Sequence, residues 1–189
     1  MHATVTVVAS NEALAEAAAQ AVAEAAEDAV KQTGRFTLAL SGGSTPRRLY
    51  ARLASPPFRS RIDWARLDVF WGDERCVPPD HPDSNYRLAD ESLLSKVPIP
   101  PEQIHRMRGE DSDPERAALD YSQELARVFS LKPGEHPRLD LVLLGLGADG
   151  HTASLFPASP ALNENRCLAA ATYAEPIKAY RLTLTLPVL

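Results

Sequence analysis

The chain has little that would mark it for a membrane, a metal or a nucleic acid. Cysteine occurs only twice in 189 residues, at Cys76 and Cys167, with no metal-ligand spacing around either. Two isolated thiols fit a reducing compartment, so neither a disulfide framework nor a zinc knuckle is expected. Cys76 stands beside Arg75, a neighbour that favours thiolate, yet no reactive role is expected for it. The histidines, at positions 2, 81, 105, 136 and 151, form no His-x-x-x-His or His-Glu pair, so no metal and no cofactor are expected. No stretch approaches the roughly 18 apolar residues of a spanning helix. The start, Met1-His-Ala-Thr-Val5, carries neither a basic n-region nor an apolar h-region, so a cytoplasmic location is expected.

Positive charge is also in short supply. Lys and Arg number 20 against 25 Asp and Glu, a net charge of −5, and no basic run is interleaved with aromatics. That balance argues against a nucleic-acid partner. An anionic ligand must then be held by local cations, because the global field mildly repels it. The loop at residues 41–45 is neither a Walker A loop nor Gly-x-Gly-x-x-Gly, which disfavours a nucleoside triphosphate there, and no Gly-x-Ser-x-Gly elbow for a serine nucleophile is present. No internal repeat is present, and no linker is long enough to divide the chain, so residues 1–189 are expected to form one domain. Apolar residues at 44% and charged residues at 24% describe a globular chain.

What is there is concentrated at three strand ends. Leu139-Asp-Leu-Val-Leu-Leu-Gly-Leu-Gly-Ala-Asp-Gly-His151 reads as a strand over Leu141–Leu144, buried on both faces because it does not alternate. It runs into glycines 145, 147 and 150 and then an acid and an imidazole, Asp149 and His151. By itself the segment also fits a turn with an incidental surface histidine. Phe36–Leu40 is a second strand, followed by the small-residue loop Ser41-Gly42-Gly43-Ser44-Thr45 and a helix through Leu49 and Leu53. Thr45 suits the N-cap and Pro46 the first helical position. Bare N–H groups, hydroxyls and a helix N-terminus make this loop a cradle for a single phosphoryl group. Arg47 and Arg48 in the first turn oppose the dipole unless an anion offsets it; at least one of them is expected to be solvated. The third segment, Leu67–Trp71, ends at Gly72 and delivers Asp73, Glu74 and Arg75, which alone also fits a salt-bridged loop. Parallel strands put their carboxyl ends on one sheet edge, so the three would share a crevice.

The remaining elements follow from local signals. Thr4–Val8 reads as a strand. Ser10 caps a helix with Leu14, Ala18, Val22, Ala25 and Ala29 on one stripe, closed by Gly34. Residues 76–86 form an irregular loop ending in Ser84-Asn85, a cap for the helix through Leu94. A short strand lies near Ile104. Asp113 caps a helix with Pro114 at its first position, carrying Ala117, Leu125 and Val128. Strands alternating with helices predict a Rossmann-like three-layer α/β/α fold with a mostly parallel sheet.

The chain resembles the 6-phosphogluconolactonase family, within the superfamily that includes glucosamine-6-phosphate deaminase and isomerase. The matching blocks are Leu40–Pro46, Trp71–Arg75, Asp83–Tyr86, Gly145–Pro157 and Arg181–Thr185, in the family's order. Gly72-Asp-Glu-Arg75 with Thr152-Ala-Ser-Leu-Phe-Pro157 looks like the lactonase branch. The family continues past its Arg-x-Thr-x-Thr segment with a Gly-x-x-Lys stretch; this chain stops at Leu189, so that end is expected to be lacking.

The resemblance implies hydrolysis of 6-phospho-D-glucono-1,5-lactone to 6-phosphogluconate, in the oxidative pentose phosphate route. It implies His151 as general base on water, Asp149 or Asp73 as the acid that orients it, and Arg75 as a cation near the carbonyl or phosphate. Ser41, Gly42, Gly43, Ser44 and Thr45 would grip the phosphate, with Arg181 a further anion ligand or a solvated strand-end residue. The partner is a small sugar phosphate and a monomer is the expected form. The rival readings are an amino-sugar-phosphate deaminase or isomerase and a non-catalytic sugar-phosphate sensor.

Overall fold

Phe36-Thr-Leu-Ala-Leu40 has no polar alternation, and it becomes β1, buried at every residue and central in a parallel sheet. The computed structural model describes residues 3–175 and 178–189. On one side of β1 lies β2 (Leu67–Trp71), paired from Phe36↔Leu67 to Leu40↔Trp71. An isolated parallel bridge, Val69↔Ile104, extends the sheet at the expected place. On the other side lies β4, which is only Leu141–Val142, paired at Leu38↔Leu141 and Ala39↔Val142.

The expected doubly buried strand over Leu141–Leu144 is therefore corrected. β4 has β1 on one flank and, among the described residues, no strand on the other. Its residues are half-buried, while Leu144 and Leu146 are 44% and 82% exposed. The expected strand at Thr4–Val8 is also not formed. That segment has extended propensity but pairs with no strand among the described residues, and Val5 and Val7 lie in the open. A strand without a ladder is held by nothing.

The Gly72 turn carries the chain directly from β2 into β3 (Asp73–Arg75), so this corner is a strand rather than a loop. β3 pairs antiparallel with β6 (Ala179–Leu184), which pairs with β5 (Ala169–Ala174) in a second sheet of order β3-β6-β5. The two sheets meet at Gly72, whose N–H donates to the Leu40 carbonyl and whose carbonyl accepts from Leu184 N. The α/β, Rossmann-like class is borne out; the antiparallel second sheet went unread.

The helices follow their caps. In α1 (Asn11–Thr33), Ser10 Oγ accepts from Ala13 N, and Gly34 closes the helix at φ +82° with its N–H on the Val30 carbonyl. Its buried face is Ala15, Ala19, Val22, Ala23, Ala26 and Ala29, rotated from the expected stripe, so that Leu14 is 36% exposed. Alanines let the helix approach α2 (Ser44–Leu53) and β1 closely, and that contact sets the face. A short α3 (Phe58–Arg61) buries Phe58. Next, α4 (Asn85–Ser92) starts at Ser84, whose Oγ accepts from Arg87 N, and packs on β3. Last comes α5 (Pro114–Val128), capped by Asp113 onto Glu115 N and Arg116 N, which covers β5 and β6.

Candidate active site

The end of β1 is pinned from behind. Tyr50 of α2 is fully buried, and its hydroxyl accepts from Ser41 N at 2.9 Å and donates to the Ser41 carbonyl at 2.7 Å. Both polar groups of the turn are thereby satisfied without solvent, and burial pushes the phenol up. Gly42 follows. A Cβ there would come within 1.8 Å of Asn85 Oδ1, so only glycine fits. Gly43, at φ +112°, is the N-cap of α2 and offers no side chain. The expected cap at Thr45 is corrected: Ser44 and Thr45 lie inside the first turn, because the left-handed bend falls at the glycine. Their N–H groups are left without an intrahelical partner. Both arginines of this turn meet carboxylates instead of an anion site: Arg48 pairs with Glu12 at 2.8 Å and Arg47 lies 3.8 Å from Glu91.

β3 presents its residues to two sides. Glu74, 2% exposed, turns to α4, where its carboxylate accepts from Arg75 N, Asn85 N, Tyr86 N and Ser84 Oγ at 2.7–3.1 Å. Burial raises its pKa and those donors pull it back, so Glu74 is an anchor fixing α4 to the sheet. Asp73 and Arg75 share the opposite face. Asp73 Oδ2 accepts from Ser154 Oγ at 2.8 Å, while Asn85 Nδ2 donates to the Asp73 carbonyl at 2.9 Å and to Oδ1 at 3.2 Å. Desolvation holds the Asp73 carboxyl above the usual range, opposed first by the Ser154 hydroxyl and then by the charges of Arg75, Arg181 and His151. Arg75 donates from Nη1 to the Asp83 carbonyl at 2.5 Å, but its buried Nε has no partner.

Arg75 and Arg181 are direct cross-strand partners, so their side chains emerge on the same face. Like charges placed so are unfavourable without an anion. Burial, and then the Arg75 charge, lower the pKa of Arg181.

The imidazole is delivered by the Gly145–Ala153 loop. Gly147 N–H donates to the His151 carbonyl at 2.8 Å, Gly150 turns at φ +84°, and Ala153 sits at φ +47°. A Cβ at Gly147 would lie 2.2 Å from His151 Nδ1, so this glycine is required by the ring. His151 Nδ1 meets Asp149 Oδ1 at 2.5 Å, and the ring lies tilted against Phe156 with centroids 4.5 Å apart. The carboxylate can only accept, so in the neutral ring Nδ1 carries the proton and Nε2 is left basic. The same bond keeps the Asp149 carboxyl below the usual range.

Ser41, Gly42, Asp73, Arg75 and His151 line one cavity of about 200 Å³, together with Asn85. Asp149 stands behind the imidazole, and Arg181 stands beside Arg75. Gly43, Ser44 and Thr45 lie outside the cavity wall; Thr45 instead borders a neighbouring groove that Ser41 shares, running to Leu144 and Leu146. Sequence reasoning did not assign Asn85, Ser154, Phe156 or Tyr50 to the site. Asn85, Ser154 and Phe156 sit in the blocks that carried the resemblance, but their contacts arise only on folding.

Size alone points elsewhere. A larger groove, about 550 Å³, lies along α5 between Arg106, Arg108, Asp120, Glu124 and Arg127. Its charges are largely spent on each other: Arg127 with Glu124, Arg106 with Glu110, and His105 between Asp68 and Glu124. Chemistry therefore selects the smaller cavity. Among the described residues no three His, Cys, Asp or Glu side chains converge to hold a metal, and no helix is long and apolar enough to cross a membrane.

Residues 9–189 match the family model described as glucosamine-6-phosphate isomerases/6-phosphogluconolactonase. A 6-phosphogluconolactonase of a Nostoc species is 47% identical over 162 residues, 86% of this chain and 66% of that protein. One of a Synechocystis species is 44% identical over 98% of this chain and 75% of its own length. The solved structure of 6-phosphogluconolactonase from Trypanosoma brucei superposes with a TM-score of 0.86 at 33% identity, covering 98% of this chain and 77% of that one. The chain thus spans just under two thirds of the Nostoc relative's length.

Proposed function

The chain belongs to the glucosamine-6-phosphate isomerase/6-phosphogluconolactonase family, and within it we propose that it hydrolyses 6-phospho-D-glucono-1,5-lactone to 6-phosphogluconate. One observation carries the reading: His151, with Nδ1 occupied by Asp149, opens onto the same small cavity as Asp73 and Arg75. The lactonase names of the relatives at 47% and 44% identity support this branch over the isomerases.

In this mechanism His151 Nε2 takes a proton from water as the water oxygen bonds to the lactone carbonyl carbon. Asp149 stabilises the imidazolium that forms, and Arg75 faces the oxyanion. The ring C–O bond then breaks, and the departing oxygen takes the proton from His151. A positioned base supplies about 10²–10⁴-fold and an oxyanion donor about 10²–10³-fold. A lactone is already an activated ester, so no covalent nucleophile is required. The phosphate is assigned to the N–H groups of Gly42–Thr45 at the start of α2, at the edge of the cavity that Gly42 lines, with Arg181, beside Arg75, as a further cation. Base, orienting acid and cations all come from one chain and one domain, and none of the steps draws on a cofactor. Two free thiols, Cys76 and Cys167, suit a reducing compartment, and we assign the protein to the cytoplasm.

The test is a coupled assay on freshly generated lactone, run beside an ammonia assay on glucosamine 6-phosphate. Turnover of the lactone well above the spontaneous rate, with no ammonia released, is the expected result. Ammonia release with no lactone turnover would move the chain to the other branch. Binding of 6-phosphogluconate with neither activity would make it a sensor.

A further inference from the structure

Asn85 is 1% exposed, yet its side-chain oxygen has no hydrogen-bond partner. Its orientation is fixed by its neighbours. The amide Nδ2 donates to the backbone carbonyl of Asp73 at 2.9 Å, and a carbonyl oxygen only accepts. The NH₂ end must therefore face Asp73, and Oδ1 must face the other way. On that side lies Gly42, where no Cβ can fit, and Gly42 and Asn85 both line the cavity. Buried polar atoms are almost always paired in native proteins, and an exception inside a binding cavity calls for a ligand donor. Neither charged group of the cavity donates to it: Asp73 brings a carboxylate, and Arg75 spends Nη1 on the Asp83 carbonyl while its Nε makes no hydrogen bond.

We propose that Asn85 Oδ1 accepts a hydrogen bond from a hydroxyl of the sugar-phosphate substrate and makes the cavity selective for polyhydroxylated acids. This rests on the cavity being the sugar-phosphate site. A neutral amide oxygen suits the task because it accepts from a hydroxyl without adding negative charge beside an anionic ligand. The glycine at 42 then has two duties, leaving backbone N–H groups open and leaving room for the carboxamide. An analogue lacking the hydroxyl would leave Oδ1 unpaired on binding, which is the situation that discriminates most strongly.

The test is calorimetric titration of the wild type, Asn85→Ala and Gly42→Ala with 6-phosphogluconate and its monodeoxy analogues. Asn85→Ala is expected to weaken binding of 6-phosphogluconate on the order of tenfold. One monodeoxy analogue should bind the wild type about as weakly, and combining that analogue with Asn85→Ala should cost nothing more. Gly42→Ala, which drives a methyl group against the carboxamide oxygen, should show the same non-additivity with the same analogue; it keeps the test alive if Asn85→Ala fails to fold. Losses that simply add for every analogue, or an Asn85→Ala chain that binds 6-phosphogluconate like the wild type, would overturn the assignment and leave the functional reading standing. A wild type that ignores 6-phosphogluconate would end both.

Discussion

His105 and His151 are built from the same parts and used in opposite ways. Each has a carboxylate on Nδ1, Glu124 at 2.7 Å and Asp149 at 2.5 Å, and each lies against a phenyl ring, Phe70 at 4.7 Å and Phe156 at 4.5 Å. At His105 the second nitrogen is taken as well, by Asp68 at 3.1 Å, and the ring is buried at the wall of the α5 groove. At His151 the second nitrogen is left over, and the ring borders a cavity. A free valence facing space, more than any partner, separates a working imidazole from a structural one. The same contrast holds for the surroundings. The larger groove along α5 is lined by ion pairs, whereas the smaller cavity holds an unpartnered Arg75 Nε and Asn85 Oδ1.

Substitutions at the two rings should break in different observables. His151→Ala is expected to lower kcat on lactone by about 10²–10⁴-fold while stability changes by no more than about 0.5 kcal/mol, read by stopped assay and thermal melt. Asp149→Asn keeps the shape but removes the anion behind the imidazolium. We expect a loss of roughly 10- to 100-fold in kcat with KM little changed, since the pair is solvent-exposed and partly screened. Equal kcat for Asp149→Asn and wild type would show that Asp73 is the partner.

His105→Ala should do the reverse. It leaves Asp68 and Glu124 facing each other without the ring between them, at a cost of about 2 kcal/mol, or roughly 4–8 °C in melting temperature. Turnover per folded molecule should hold. The smallest effect concerns Asp73. Its folded pKa is raised by burial, so between the unfolded and folded values the native chain binds more protons than the unfolded one, and stability falls as pH rises through that window. Asp73→Asn should flatten that decline in melts run from about pH 4 upward.

How much of this the sequence could tell depended on range. Ser10, Gly34, Ser84 and Asp113 were legible as caps because a cap is settled within four residues. Thr45 was misplaced because Gly43 adopts φ +112°, a bend that its letter permits without requiring. Leu141–Leu144 looks like a central strand, but burial of its second face depends on a neighbour strand that no local pattern encodes. His151, Asp149, Asp73 and Arg75 stood out because three strand-and-glycine segments each ended in polar residues and the family resemblance gave these four their roles, whereas Glu74 in the same run is a structural anchor. Asn85 did not stand out, since its part depends on Gly42, forty-odd residues earlier, coming to rest against its carboxamide.

The central claim is that the small cavity at the strand ends, and not the larger groove on α5, holds the sugar acid. A crystal structure with 6-phosphogluconate bound tests it most directly. The account predicts the product's carboxylate within hydrogen-bond reach of His151 Nε2 and Arg75, with its phosphate at the first turn of α2. Product seated among Arg106, Arg108 and Arg127, or bound with His151 out of reach, would contradict it.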